Sequence, residues 1–406
     1  MKRIEEEKLG EININIRLVY VTTVPDTIRA FLMGGHIDFM KSAGFEVICV
    51  SSPGKALDEA GRYNEVGVHG IKMTRGITPV SDLRGLVSLY FLFRRIKPEV
   101  VNLSTPKASL LGSVAAWAAR VPVRIYMNRG TVFVNDRGVK RLVLKWVERL
   151  TSRLCHQTIF VSNSQMEFAR REKTVSKKKG IVLRSGACEL NAARFDPERG
   201  DIKEKAAVLR EGLGLPGREK GALTVGYVGR LERDKGIIEL SAAWGVLREK
   251  YPNIYLLLVG PWDTERVDNA VLEIKGRFER DGRVVPVGYV EDVAPYYLLM
   301  DVLIFPSHRE GFPYAPMEAA AMRLPVVATD AIGCVDAVVS GETGFLVPRG
   351  DVGSLCDAVA RLLDDPSLRR RLGGAGRERC VRDFSPEPIR EALADEYKRL
   401  LKERSL

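Results

Sequence analysis

Short apolar runs alternate with amphipathic stretches along almost the whole chain. In the first half, residues 17–21, 46–51, 70–74, 100–103, 124–127, 158–161 and 181–183 have strand length and strand composition. Between them, residues 82–96, 107–119 and 139–154 repeat apolar positions at helical spacing. Strands alternating with helices imply a mostly parallel sheet covered on both faces. Residues 185–222 break the rhythm with Pro197, Gly200, Gly212, Gly214, Pro216 and Gly217, around a charged helix-like piece. A second alternation follows, with strand-like runs at 223–228, 254–259, 284–287, 302–305, 326–328 and 345–347. Residues 351–402 read as helical, interrupted near Pro366 and at 385–388. The expected fold class is α/β, with two doubly wound Rossmann-like domains facing a cleft. The expected division is a tail at 1–14, a first domain at 15–185, a linker at 186–222, a second domain at 223–384 and a C-terminal helix at 385–406 crossing back to the first domain. In such sheets ligands bind outside the carboxyl ends of the strands.

Composition narrows the partners. With 406 residues and 45% hydrophobic content, the chain is long enough for two cores. The formal charge of +11 attracts phosphates of some kind. Residues 140–184 hold 12 Lys or Arg against 3 Glu, which is either a solvated helix face or a patch that rests on an anionic membrane surface. No zinc spacing or RNA-binding aromatic motif accompanies the charge, so nucleic acid is not the expected partner. The six cysteines are scattered without a C-x-x-C pair, as in a reducing cytoplasm. The N-terminus is charged rather than apolar and does not read as a signal peptide. Residues 86–93 are the most apolar stretch, too short to span a bilayer, and read as a buried helix face.

Two segments carry candidate chemistry. After the run VLIF come Pro306, Ser307, His308, Arg309, Glu310, Gly311, Phe312 and Pro313, then a helix over 314–322. Gly311 permits close backbone approach, Pro313 suits a first helical position, and the helix N-terminus offers N–H groups to an anion. Glu310 on the loop and Glu318 on the helix add two carboxylates beside that anion site. Such a pairing suits a ligand with hydroxyls, whose hydrogen bonds carboxylates accept well. The second segment, Val228 to Gly236, follows a strand and presents Arg230 and Lys235 at a strand-to-helix turn, where phosphate binders sit. It lacks the P-loop pattern. No D-x-D triplet occurs in the chain, which favours catalysis without a divalent ion and with no cofactor.

The segment Val-Gly-Arg-Leu with Lys-Gly at 228–236, the two glutamates of Glu310–Glu318, and the runs beginning at Leu324 and Gly344 together resemble retaining glycosyltransferases of family 4, with the GT-B fold. The resemblance extends over nearly the whole chain. Its first half is similar to the branch that builds bacterial cell-surface polysaccharides on lipid carriers, through residues 103–112 and 126–130. The resemblance implies that Arg230 and Lys235 hold the diphosphate of a nucleotide-sugar donor, UDP-linked in this branch, and that Glu310 binds hydroxyls of the transferred sugar. It implies backbone contacts from Gly311, Phe312 and Pro313, ribose binding by Glu318, and a base edge near Val290. On the acceptor side it points to Lys107 and Arg129, with a lipid-linked saccharide as acceptor. It also implies a front-face mechanism and a lipid-linked acceptor at the cytoplasmic face of a membrane, where the basic charge of residues 140–184 is expected to rest.

The chain departs from the family pattern at Ser104 and Arg129, where relatives often carry His. It departs again at residues 22–27, which replace a glycine-rich loop, and at Asp336, where Glu is common. Two other functions share the two-domain plan: a sugar-nucleotide epimerase, which would want cleft histidines where this chain has only four in all, and a non-catalytic sugar-nucleotide-binding protein.

Overall fold

The structure, a computed structural model, describes residues 16–404 except 63–65, 75, 77, 187 and 264–267. The tail expected at residues 1–14 lies outside the described residues.

The first sheet contains β1 (Ile16–Val21), β2 (Phe45–Ser51), β3 (Gly67–Gly70), β4 (Val100–Ser104), β5 (Val123–Asn128), β6 (Gln157–Phe160) and β7 (Gly180–Val182), in the order β3-β2-β1-β4-β5-β6-β7. β1 runs parallel to β2 and β4, and β4 runs parallel to β5. Its helices are α1 (Asp26–Met33), α2 (His36–Ser42), α3 (Lys55–Arg62), α4 (Pro79–Ile96), α5 (Pro106–Ala118), α6 (Gly138–Leu154) and α7 (Asn163–Arg171). The central strands β1 and β4 are Val- and Leu-rich because both faces are covered. Val19, Val101 and Leu103 meet Leu89 and Phe93 of α4 and Leu111 of α5 in one buried cluster.

β3 falls earlier than the strand expected at 70–74. Gly67 to Gly70 pair with Ile48 to Ser51 at the sheet edge. The residues beyond leave the ladder, with Ile71 and Met73 buried. Ser52 takes over the pairing there, accepting from the Met73 N–H at 3.0 Å and donating to its carbonyl at 2.7 Å. The burial expected for residues 86–93 holds for one helix face only. Leu89, Leu92 and Phe93 are buried, whereas Val87 is 43% and Phe91 64% exposed.

After α8 (Gly200–Gly212) comes the second sheet, formed by β8 (Leu223–Val228), β9 (Ile254–Val259), β10 (Val284–Gly288), β11 (Val302–Phe305), β12 (Val326–Thr329) and β13 (Gly344–Val347). Its order is β10-β9-β8-β11-β12-β13, with every pair parallel. Its helices are α9 (Ile237–Lys250), α10 (Asn269–Arg280), α11 (Ala294–Tyr297), α12 (Tyr314–Ala321), α13 (Cys334–Ala337), α14 (Val352–Asp364) and α15 (Pro366–Asp383). The last helix, α16 (Pro386–Lys402), follows Ser385. In α16 the buried Tyr397 accepts a hydrogen bond from the Asn102 amide of β4 and packs edge-on against Phe45 of β2.

Tertiary contacts group the chain up to Met127, Trp146–Thr158 and Arg390–Leu406 into one unit, and Asn128–Lys145 with Ile159–Ile389 into another. In each sheet the strand order reverses once, between β1 and β4 in the first and between β8 and β11 in the second. In open α/β sheets, ligands bind outside the carboxyl ends of such a pair.

Candidate active site

At the reversal point of the second sheet, the turn 229–236 leaves β8 and the loop 306–313 leaves β11. They are pressed together at Gly236, whose φ of +77° favours glycine and where a Cβ would stand 2.0 Å from the Pro306 carbonyl oxygen. The His308 N–H donates to the Asp234 carbonyl at 3.0 Å, and Arg309 forms an ion pair with the Asp234 carboxylate at 3.2 Å. This clamp brings together two residues 75 positions apart: Lys235 Nζ donates to Glu310 Oε1 at 2.7 Å. Their side chains are 22% and 11% exposed, so the pair is mostly withdrawn from water.

Arg230 projects from the same turn, half exposed. Its guanidinium meets Glu232 at 2.9 Å and Asp263 at 3.8 Å, and its carbonyl accepts from the buried Tyr227 hydroxyl at 2.8 Å. Burial pushes the Glu232 carboxyl up from its ordinary value; the neighbouring Asp263 adds to this, and Arg230 and Lys235 oppose it. Glu232, Asp263 and Tyr227 were not singled out from the sequence.

Beyond Glu310 the chain makes its closest approach at Gly311, where a Cβ would stand 1.8 Å from the Arg129 carbonyl oxygen. The Gly311 carbonyl accepts from Ser162 Oγ at 2.8 Å. Phe312 is buried edge-on against Phe384. Pro313 does not take the first helical position: it is the extended N-cap (ψ 123°), and α12 begins one residue later, at Tyr314. Glu318, on the second turn of α12, accepts from the buried Tyr297 hydroxyl at 2.8 Å. Burial raises the Glu318 carboxyl, against the hydrogen bond from Tyr297 and the charge of Arg194. Val290 lies half-buried two residues beyond β10, after the Gly288 carbonyl accepts from the Gly260 N–H at 2.8 Å.

His308 lies two residues before Glu310. Its ring Nε2 is 2.9 Å from Glu239 on α9. That hydrogen bond raises the His308 imidazole above its ordinary value, outweighing burial. Burial alone would raise Glu239, but the bond to His308 holds it below the usual carboxylate range.

The two acceptor-side candidates occupy different settings. Lys107, on the first turn of α5, donates to Asp82 Oδ1 at 2.6 Å and to Thr74 Oγ1 at 3.3 Å, and also reaches the Gly76 carbonyl. The ammonium is thus satisfied by α4 and the segment before it. Arg129 follows β5 and meets Gly311 through its backbone. Asp336 on α13 accepts from the Asn163 and Ser164 N–H groups at the start of α7, at 3.0 and 3.2 Å.

At the reversal point of the first sheet, Thr105 has φ +75° and ψ 143°, a conformation usually left to glycine, costing about 1–3 kcal/mol. Its hydroxyl lies 2.7 Å from Thr23 Oγ1 and accepts from the Thr23 N–H at 3.0 Å. Nothing in a Thr-Pro pair discloses this φ. Among the described residues no group of three or more His, Cys, Asp or Glu is placed to share a metal ion. All six cysteines are buried and free.

Two doubly wound parallel sheets, with a cationic turn and a carboxylate-bearing loop joined where the second sheet reverses, define an α/β protein with a candidate ligand site at that reversal. Family models identify the class further. "Glycosyl transferase 4-like" matches residues 22–163, and "Glycosyl transferases group 1" matches residues 222–365. The chain is 34% identical over 391 residues to the capsular polysaccharide biosynthesis glycosyltransferase CapM of Staphylococcus aureus, covering 96% of this chain and 98% of that protein. It is 28% identical over 301 residues to the UDP-Gal:alpha-D-GlcNAc-diphosphoundecaprenol alpha-1,3-galactosyltransferase of Escherichia coli, covering 73% and 74%. Its fold matches that of Anabaena Alr3699/HepE, crystallised with UDP and glucose, with a TM-score of 0.77 at 17% identity over 95% of this chain and 100% of that one. The chain belongs to glycosyltransferase family 4 and has the GT-B fold. It is a glycosyltransferase, and the epimerase alternative finds no support among these relatives.

Proposed function

We propose that the protein is a retaining, metal-independent glycosyltransferase that moves a hexose or N-acetylhexosamine from a UDP-sugar to a lipid-linked saccharide in polysaccharide or glycan biosynthesis. The observation that carries this reading is the Lys235–Glu310 pair at the reversal point of the second sheet. A diphosphate entering there meets Lys235 and Arg230, and the sugar it carries meets the Glu310 carboxylate. As the bond from the anomeric carbon to the diphosphate breaks, charge builds on the leaving phosphate, where the two cations stabilise it. On this reading the leaving phosphate takes the proton of the acceptor hydroxyl on the same face, so configuration is retained. Glu318, oriented by Tyr297 through one of its oxygens, binds the ribose hydroxyls, while Gly311, Phe312 and Pro313 contact sugar and phosphate through the backbone. Val290 lies near the base, and Lys107 and Arg129 remain the acceptor-side candidates.

Support for the UDP donor and the lipid-linked acceptor comes from the name of the E. coli relative, and for polysaccharide synthesis from that of the S. aureus relative. No described helix is long and apolar enough to cross a membrane. The proposed seat is peripheral, on the cytoplasmic face, reached through residues 140–184. There α6 exposes Val139, Leu142, Val143 and Trp146 on one side. Part of the basic charge in this stretch is used internally, since Arg141 and Lys145 both pair with Glu172.

The test is transfer from a panel of nucleotide sugars onto membrane lipid extracts, with product stereochemistry read by NMR. UDP-sugars should serve, with transfer to lipid and retained configuration. Interconversion of the sugar without transfer, or an inverted product, overturns the reading. Turnover should survive EDTA; its loss, restored by magnesium or manganese, overturns metal independence.

A further inference from the structure

Helix α4 of the first unit is apolar on two sides, one packed on the sheet and one facing solvent. α4 buries Leu89, Leu92 and Phe93 against the sheet. On the opposite side Val80, Leu83, Val87 and Phe91 are 67%, 64%, 43% and 64% exposed. Their spacing of three, four and four residues stacks them along one side of the helix. A folded protein rarely leaves so continuous an apolar stripe in water without a partner for it.

The charge beside the stripe says which partner. Arg84, Arg94 and Arg95 are exposed on the same helix, and none of them has an ion pair among the described residues. The helix's one acidic residue, Asp82, is turned inward onto Lys107 at 2.6 Å. The outer surface of the helix therefore carries apolar and positive groups and no negative charge. Trp117, on the neighbouring α5, is 58% exposed, and tryptophan favours the headgroup level of a bilayer. Beside the first turns of α4 an open groove of about 660 Å³ is lined by Lys72, Thr78, Arg84 and Ser88, groups that suit a lipid phosphate.

We propose that α4 is a membrane-docking helix, lying in the plane of an anionic bilayer with Val80, Leu83, Val87 and Phe91 among the acyl chains and its arginines on the lipid phosphates. The proposal rests on the peripheral-membrane reading above and adds a surface distinct from residues 140–184. Apolar burial and attraction to anionic lipid act together in helices of this kind.

The test is co-flotation of the full chain with vesicles of phosphatidylglycerol and phosphatidylcholine, and with vesicles of phosphatidylcholine alone. The wild type should bind the anionic vesicles and bind phosphatidylcholine far more weakly. The double variant Leu83→Ser/Phe91→Ser should lose about tenfold or more in partitioning, since each removed side chain withdraws apolar contact. Its thermal unfolding should match the wild type, because both positions face solvent. Arg84→Glu/Arg94→Glu should lose binding in low salt and differ less from wild type in high salt. If Leu142→Ser/Trp146→Ser in α6 abolishes binding while both α4 variants bind normally, the peripheral reading stands and the α4 proposal falls. If the wild type binds neither vesicle, both fall. If sedimentation shows a dimer that Leu83→Ser/Phe91→Ser converts to monomer, the stripe is a contact between two copies and the proposal is overturned.

Discussion

The two reversal points share one topology and differ in chemistry. Between β8 and β11 the loops bring Lys235 onto Glu310, with Arg230 on the same turn as Lys235, and the shortest contact between them is an ion pair. Between β1 and β4 the meeting groups are threonines: Thr23 and Thr105 are joined hydroxyl to hydroxyl, and the nearby Lys107 is committed to Asp82. A leaving diphosphate gains negative charge during the reaction and needs preorganised cations. A neutral sugar hydroxyl needs only oriented donors and acceptors. On the proposed reading, the contrast fits charge development at the second sheet and neutral recognition at the first.

The comparison breaks most directly at Glu310. On the proposed reading, Glu310→Ala lowers kcat by roughly a hundredfold to a thousandfold, measured as transfer under saturating donor. Intact transfer would remove Glu310 from the site. Gly236→Ala tests the clamp between the loops. A Cβ there meets the Pro306 carbonyl, so thermal or urea unfolding should show a loss of about 2 kcal/mol, accompanied by a drop in kcat. Lys107→Met probes the opposite side. Breaking a mostly buried pair should cost stability, about 2 kcal/mol. A variant that melts normally but fails in acceptor KM would return Lys107 to a binding role.

Smaller effects sharpen the contrast. Tyr297→Phe removes the hydroxyl that orients Glu318, for about 1 kcal/mol. It should raise donor KM several-fold while kcat changes little. The smallest concerns His308. Its folded pKa is raised, so its bond to Glu239 stabilises fully below the ordinary histidine value of about 6.5 and is lost as pH rises through the folded value. His308→Asn should therefore destabilise the protein below about pH 6 and progressively less as pH rises above that. Equal destabilisation at both ends would show that the contact is packing rather than charge.

The sheets were legible because buried parallel strands leave continuous apolar runs, from residue 17 onward and again from residue 223. β3 was misplaced because it is a half-exposed edge strand with glycine at both ends, while the more strand-like Ile71 and Met73 serve the core instead. Lys235 and Glu310 were legible as residues beside glycines after strands. Their direct contact was not, since it depends on two loops 75 positions apart. The same holds for Tyr297 on Glu318 and for Asp263 near Arg230, pairs joined only by strand order. Lys107 was singled out only through the resemblance; its partner Asp82, 25 positions earlier, was not legible because the pair depends on α4 packing beside α5. The stripe on α4 was hidden because solvent-facing and core-facing apolar residues look alike in a sequence.

The contact at Gly236 has a consequence for how this enzyme can be changed. Because the turn after β8 touches the backbone of the loop after β11, neither can be exchanged alone. Loops grafted from a relative with a different sugar preference must travel as a matched set, residues 229–236 together with 306–313. A library that randomises one and freezes the other will mostly sample loops that no longer pack against each other.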